Sequence, residues 1–133
     1  MVQSMTTFIQ KDAFTRHVGA ELLEVSEGRA KAKLDIKDYH LNSLGTVHGA
    51  AIFALADLVF EVASNSHGTI AMAINTSISY FKAVSEGTLF AEASEVSLNP
   101  KLASYTINVT NQHSDMVAIF QGMVYRKKDR IDI

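Results

Sequence analysis

The sequence predicts an α+β domain in which one long buried helix is wrapped by a curled antiparallel sheet. Three observations predict it. Several segments show the apolar alternation or β-branched content of strands. One long run, Val47 to Asn65, is rich in Ala and Leu and apolar nearly all round. Short turn signals join most of the strand segments, which favours antiparallel pairing. The 133 residues suffice for a single domain spanning 1–133 with its own core.

The elements follow in order. Met1 to Gln10 lacks the charged start and apolar run of a secretory signal, and the chain ends read as short and ragged. Ala20 to Val25 forms a first strand, turning at Ser26-Glu27-Gly28. Ala30, Ala32, Leu34 and Ile36 then alternate with Lys31, Lys33, Asp35 and Lys37, giving a strand with one dry face and one wet face. The Val47–Asn65 run is too apolar to lie in water, yet Asp57 and Glu61 make it costly in a bilayer. A buried helix is therefore expected. Ile70 to Phe81 is the next strand, and Glu86-Gly87 turns the chain into Thr88–Val96. Asn99-Pro100 turns it again, because proline cannot donate to a ladder. Ala103, Tyr105, Ile107 and Val109 alternate in the fifth strand, and His113-Ser114-Asp115 is the last turn. Val117 to Tyr125 is apolar on both faces, so cover on both sides is expected. Arg126 to Arg130 reads as a wet chain end. A sheet of this kind has long open edges, which a second copy would cover, so a homodimer is expected.

Composition excludes several function classes. A net charge of −2 gives no basic field for nucleic acid or an anionic membrane surface. With no cysteine there is no disulfide, thiolate metal site or Cys nucleophile. The cytoplasm is the default location. No phosphate-binding glycine loop and no zinc-protease motif occurs, and Val47 stands where a G-x-S-x-G elbow would place serine. The five histidines lack ligand spacing, so neither a metal nor a cofactor is expected.

The chemistry concentrates between His40 and Asp57. Asn42 and Gly45 sit in a loop, His48 and Gly49 at the helix start, and Asp57 in its middle. A helix N-terminus offers unpaired N–H groups and partial positive charge, and glycine lets an oxyanion approach them. Burial and Glu61, one turn on, are expected to raise the Asp57 pKa, which suits a general base. Other readings stand beside these. Asp57 could be a buried acid satisfied by a hydroxyl or amide, His48 a cap, Asn42 a turn residue, and Glu61 a solvated or interface charge. Leu58, Phe60 and Phe81 fit either an apolar tunnel or the core. Gly49 and Asp57 lie eight residues apart, about 12 Å along one helix. One chain cannot bring both to one carbonyl. Two helices packed antiparallel about a two-fold axis can, and they form two equal sites.

Asn42-x-x-Gly45-x-Val47-His48-Gly49, followed by Ala54-Leu55-Ala56-Asp57, resembles the signature of hotdog-fold acyl-CoA thioesterases of the phenylacetate-degradation (PaaI-like) branch. The likeness continues through Ala63-Ser64-Asn65-Ser66-x-Gly68 and Ile78-Ser79-Tyr80-Phe81. It implies a hotdog fold, a homodimer or dimer of dimers, and hydrolysis of an acyl-CoA thioester to free acid and coenzyme A. It implies that Asp57 acts as general base or nucleophile, that the Gly49 N–H polarises the carbonyl, that Asn42 positions the water or carboxylate, and that His48 shapes the loop and contacts the thioester side. Three departures stand out. Ala50 replaces a second glycine and adds a methyl at the acyl entrance. Glu61 is acidic where relatives mostly carry a small or neutral residue. Ala73 falls about where some relatives carry a hydroxyl near the reaction centre, and Asn75, two residues on and on the same strand face, is the expected substitute. The alternatives are a non-catalytic acyl-CoA binding protein on the same fold and a hydratase or dehydratase of the same fold.

Overall fold

A computed structural model describes residues 2–131, with side chains from Met5 onward. The chain order is α1 (Val2–Ile9), α2 (Ala13–Val18), β1 (Glu21–Ser26), β2 (Arg29–Asp35), a 3-10 turn at Asp38–His40, α3 (Gly49–Asn65), β3 (Thr69–Tyr80), β4 (Thr88–Leu98), β5 (Leu102–Asn111) and β6 (Met116–Arg130). All pairings are antiparallel, in the order β1-β2-β4-β5-β6-β3.

The sheet curls around α3. Ala30, Ala32, Ala91 and Ala93 lie at its centre, fully buried, and their small side chains let the helix sit close. Leu34, Leu89, Ile107, Val109 and Phe120 fill the rest of the concave face. α3 answers with Ile52, Leu55, Val59, Phe60, Val62 and Ala63. One stripe of the helix is left half-covered: Phe53, Asp57 and Glu61, spaced i, i+4, i+8. At the far end of α3, His67 Nε2 meets Glu95 Oε2 at 2.6 Å, and the buried Tyr105 hydroxyl donates to the same oxygen at 2.6 Å. No helix is long and apolar enough to cross a membrane among the described residues.

Four expectations need correction. The start of the chain is helical, not ragged. Six residues in α2, and Thr and Val content in α1, give weak intrinsic propensity. Tertiary contacts supply the rest: Met5 is buried, Asp12 caps α2 and Gly19 ends it with φ 91°. Towards the other end, β6 continues through Arg130 beside Thr69 instead of fraying after Tyr125. β3 and β4 do not form a hairpin. β4 pairs with β2 across the helical crossover, and β3 pairs with β6 at the opposite edge. Finally, the outer face of β6 is not fully covered within the chain: Gln121 and Tyr125 are exposed.

Candidate active site

The loop before α3 is built by Asn42. Its Oδ1 accepts from the Leu44 and Thr46 N–H groups at 2.9 and 3.1 Å, and its Nδ2 donates to Thr46 Oγ1 at 2.9 Å. Gly45 supplies the positive φ, 80°, that closes the turn. His40 is buried beneath it, its Nδ1 accepting from the Lys37 N–H and its Nε2 2.7 Å from the Val18 carbonyl oxygen. Asn42 therefore acts here as a turn residue whose hydrogen bonds fix the approach to the helix.

His48 caps α3, its Nδ1 accepting from the Ala50 N–H at 3.0 Å. The Ala51 and Ile52 N–H groups donate to the His48 carbonyl. Of the first-turn donors, the Gly49 N–H alone has no acceptor among the described residues. Its carbonyl accepts from the Tyr80 hydroxyl at 3.1 Å, and a Cβ on Gly49 would stand 3.2 Å from that oxygen. Glycine thus permits Tyr80 to brace the helix tip. Sequence reasoning missed Tyr80, because the contact joins residues far apart in the chain. Beside this tip is an apolar-walled cavity of about 430 Å³, lined by Phe14, His17, Tyr39, Leu41, His48 and Ala50. The added methyl of Ala50 is part of its wall.

Asp57 and Glu61 line a second cleft, of about 250 Å³, together with Phe60, Ala71, Ala73 and Val124. No hydroxyl or amide donates to the Asp57 carboxylate among the described residues, so the satisfied-acid reading has no partner to rest on. Burial first, then the charge of Asp12, raise the Asp57 pKa. The second contributor is Asp12 from the start of α2, a residue the sequence did not single out, rather than Glu61. Glu61 is not the solvated charge the sequence allowed. Burial, then Asp12 and Asp57, push it up to about 7. Leu58 and Phe60 are core residues, whereas Phe81 is exposed at the sheet edge.

The expected substitution of Asn75 for Ala73 fails on geometry. A bulge between Ala73 and Asn75 pairs Ala73 with Val124 but Asn75 with the next residue back, Met123. The two side chains consequently face opposite sides of the sheet. Ala73 lines the Asp57 cleft, while Asn75 lies in an outer groove with Ser77, Ser104 and Gln121.

Within one chain, then, the structure gathers Asn42, His48 and Gly49 at the helix tip and Asp57, Glu61 and Ala73 a dozen ångströms away, by about 1.5 Å per helical residue. A long helix wrapped by a curled antiparallel sheet, with a free N–H at its tip and a half-buried acid midway, defines a hotdog thioesterase fold. The Thioesterase superfamily description matches residues 44–118, and the chain belongs to that superfamily. A putative esterase from Archaeoglobus fulgidus is 44% identical over 128 residues, covering 95% of this chain and 83% of that protein. The acyl-coenzyme A thioesterase PaaI of Escherichia coli is 30% identical over 125 residues, covering 93% and 89%. The structure of the E. coli PaaI protein superposes with a TM-score of 0.93, covering 98% of this chain and 95% of that one. A Streptococcus mutans protein bound to acetyl CoA, 25% identical, superposes with a TM-score of 0.81 over 85% of this chain and 92% of its own.

Proposed function

We propose that this protein hydrolyses acyl-CoA thioesters in a homodimer, Asp57 of one chain acting with the Gly49 N–H of the other. One observation carries the reading: α3 holds two groups without partners among the described residues, an N–H at its tip and a carboxyl eight residues later, too far apart to share a carbonyl in one chain. An antiparallel pairing of two such helices brings each N–H to the other's acid. The faces such a pairing needs are open. β3 is an edge strand of 12 residues with Met72, Ile74 and Tyr80 exposed, and the Phe53–Asp57–Glu61 stripe lies half-covered beside it.

The chemistry follows. The Gly49 N–H, at the positive end of the helix dipole, stabilises negative charge developing on the thioester oxygen. The Asp57 carboxylate takes a proton from water or attacks the carbonyl itself. Asn42 and His48 position the tip, Tyr80 braces it, and the apolar cavity beside it suits a hydrophobic acyl group. The acyl-coenzyme A thioesterase PaaI and the acetyl CoA complex support coenzyme A thioesters as the substrate class.

Asp57→Ala is expected to lower thiol release about 10²–10⁴-fold. Gly49→Pro removes the N–H at a first helical position whose backbone suits proline, with its Cβ 3.2 Å from the Tyr80 hydroxyl, which must shift slightly. Each variant alone should be nearly inactive. Refolded together they should regain activity, because a mixed dimer contains one complete site. Absence of recovery in mixtures shown to exchange subunits would refute the cross-subunit site.

A further inference from the structure

Thioester hydrolysis needs a second proton transfer. When the C–S bond breaks, its electron pair leaves on an alkyl sulfur, whose thiol has a pKa of about 8.5, so the product is protonated at neutral pH. Glu61 lies one helical turn beyond Asp57, about 6 Å along the axis, and its carboxyl lines the same cleft. That separation leaves room for a water on one side of a carbonyl carbon and a sulfur on the other. Burial first, then the charge of Asp12, disfavour the ionised form of Glu61. Among the described residues, the charges that act on Glu61 are Asp12, from the segment before α2, and Asp57 of its own helix. The β3 and β6 residues in the cleft, Ala71, Met72, Ala73 and Val124, carry no charge. Burial, Asp12 and Asp57 together push Glu61 up to about 7, so it keeps a proton available at neutral pH.

We propose that Glu61 is the general acid of this site, donating its proton to the sulfur of the departing thiol. The inference rests on Asp57 as proposed above. In the water route, the water oxygen forms the new bond to the carbonyl carbon and one of its protons goes to Asp57. The C–S bond breaks, and its electron pair, with the Glu61 proton, makes the free thiol. The other water proton stays on the product acid. Asp57 then holds a proton and Glu61 a charge, and one transfer between these neighbours restores both. Asp12 acts on Glu61 through its charge, which favours the protonated form.

The test compares leaving groups. An acyl-CoA and the S-(4-nitrophenyl) thioester of the same acyl group differ in the basicity of the released thiolate. The nitrophenyl thiolate leaves without protonation. Glu61→Gln, which keeps shape and loses the acid, should slow single-turnover cleavage of the acyl-CoA by about 10²-fold. It should slow the nitrophenyl ester at least tenfold less. Asp57→Asn should slow both alike. Equal losses on both esters in Glu61→Gln, with Asp57→Asn inactive, would overturn the general acid and leave the Asp57 reading standing. Full activity in Asp57→Asn would instead sink the Asp57 reading. The parent protein gives a second measure that needs no variant. Its rates across thiols of increasing basicity should stay nearly flat, and a steep decline overturns the proposal.

Discussion

Replacing Gly122 with alanine tests how tightly the helix is seated on the sheet. Gly122 lies on β6 beneath Phe60, and a Cβ there would stand 2.6, 2.7 and 2.9 Å from three atoms of the Phe60 ring. Real Cβ atoms do not approach so closely, so the ring must move. Its freedom is small. Phe120 lies 5.4 Å away and Tyr105 5.9 Å away, centroid to centroid, and all three rings are buried. Overpacking of this kind costs about 1–3 kcal/mol. At about 2.1 cal/mol/K per residue, 133 residues unfold with an entropy near 280 cal/mol/K, so the melting temperature should fall by about 4–11 °C. Thermal melts followed by circular dichroism measure this. Phe60 also walls the Asp57 cleft, so thiol release should fall with it. A Phe60→Leu background removes the ring atoms that clash, and Gly122→Ala should then be nearly neutral. A melting point within about 1 °C of the parent, or equal losses in both backgrounds, refutes the reasoning.

Two further outcomes concern half-buried acids. Burial raises the Glu95 pKa, but hydrogen bonds from His67 and Tyr105 outweigh it and leave the group below its ordinary value. The stability this contributes is present above the unfolded pKa and is lost as pH falls through the folded one. Tyr105→Phe should accordingly cost about 1.5–3 kcal/mol in urea denaturation at pH 7, the range for a hydrogen bond to a charged group. The cost should shrink in acid, and an equal cost at all pH values contradicts the assignment. Glu61 has the opposite sign: its folded value of about 7 lies above its ordinary 4.5, because of burial, Asp12 and Asp57. The folded protein binds the proton more tightly, so it loses stability as pH rises through that window. Glu61→Gln lacks this loss and should gain in urea midpoint relative to the parent between pH 5 and pH 8. A constant difference tells against a neutral Glu61.

Most of the fold was legible because strand and helix patterns are local. Alternation in Ala30–Ile36 and Ala103–Val109 reports a two-residue repeat that the backbone imposes on any half-buried strand. The apolar run of α3 reports a helix with almost no wet face. The spacing of Gly49 and Asp57 follows from helical rise alone. The N-terminal helices were not legible, because their propensity is weak and burial of Met5 and capping by Asp12 hold them in place.

The sequence by itself determined where the groups of the proposed site stand: Gly49 at a helix tip, Asp57 midway, and a loop shaped by Asn42. Tertiary structure decided their neighbours. It brought Asp12 against Glu61, set the Tyr80 hydroxyl on the Gly49 carbonyl, and turned Asn75 away from the cleft by a single bulge. A residue's periodicity depends on bonds to its own neighbours. Its contacts across the fold, and the face it presents after a bulge, depend on the register of a partner strand that no local pattern records.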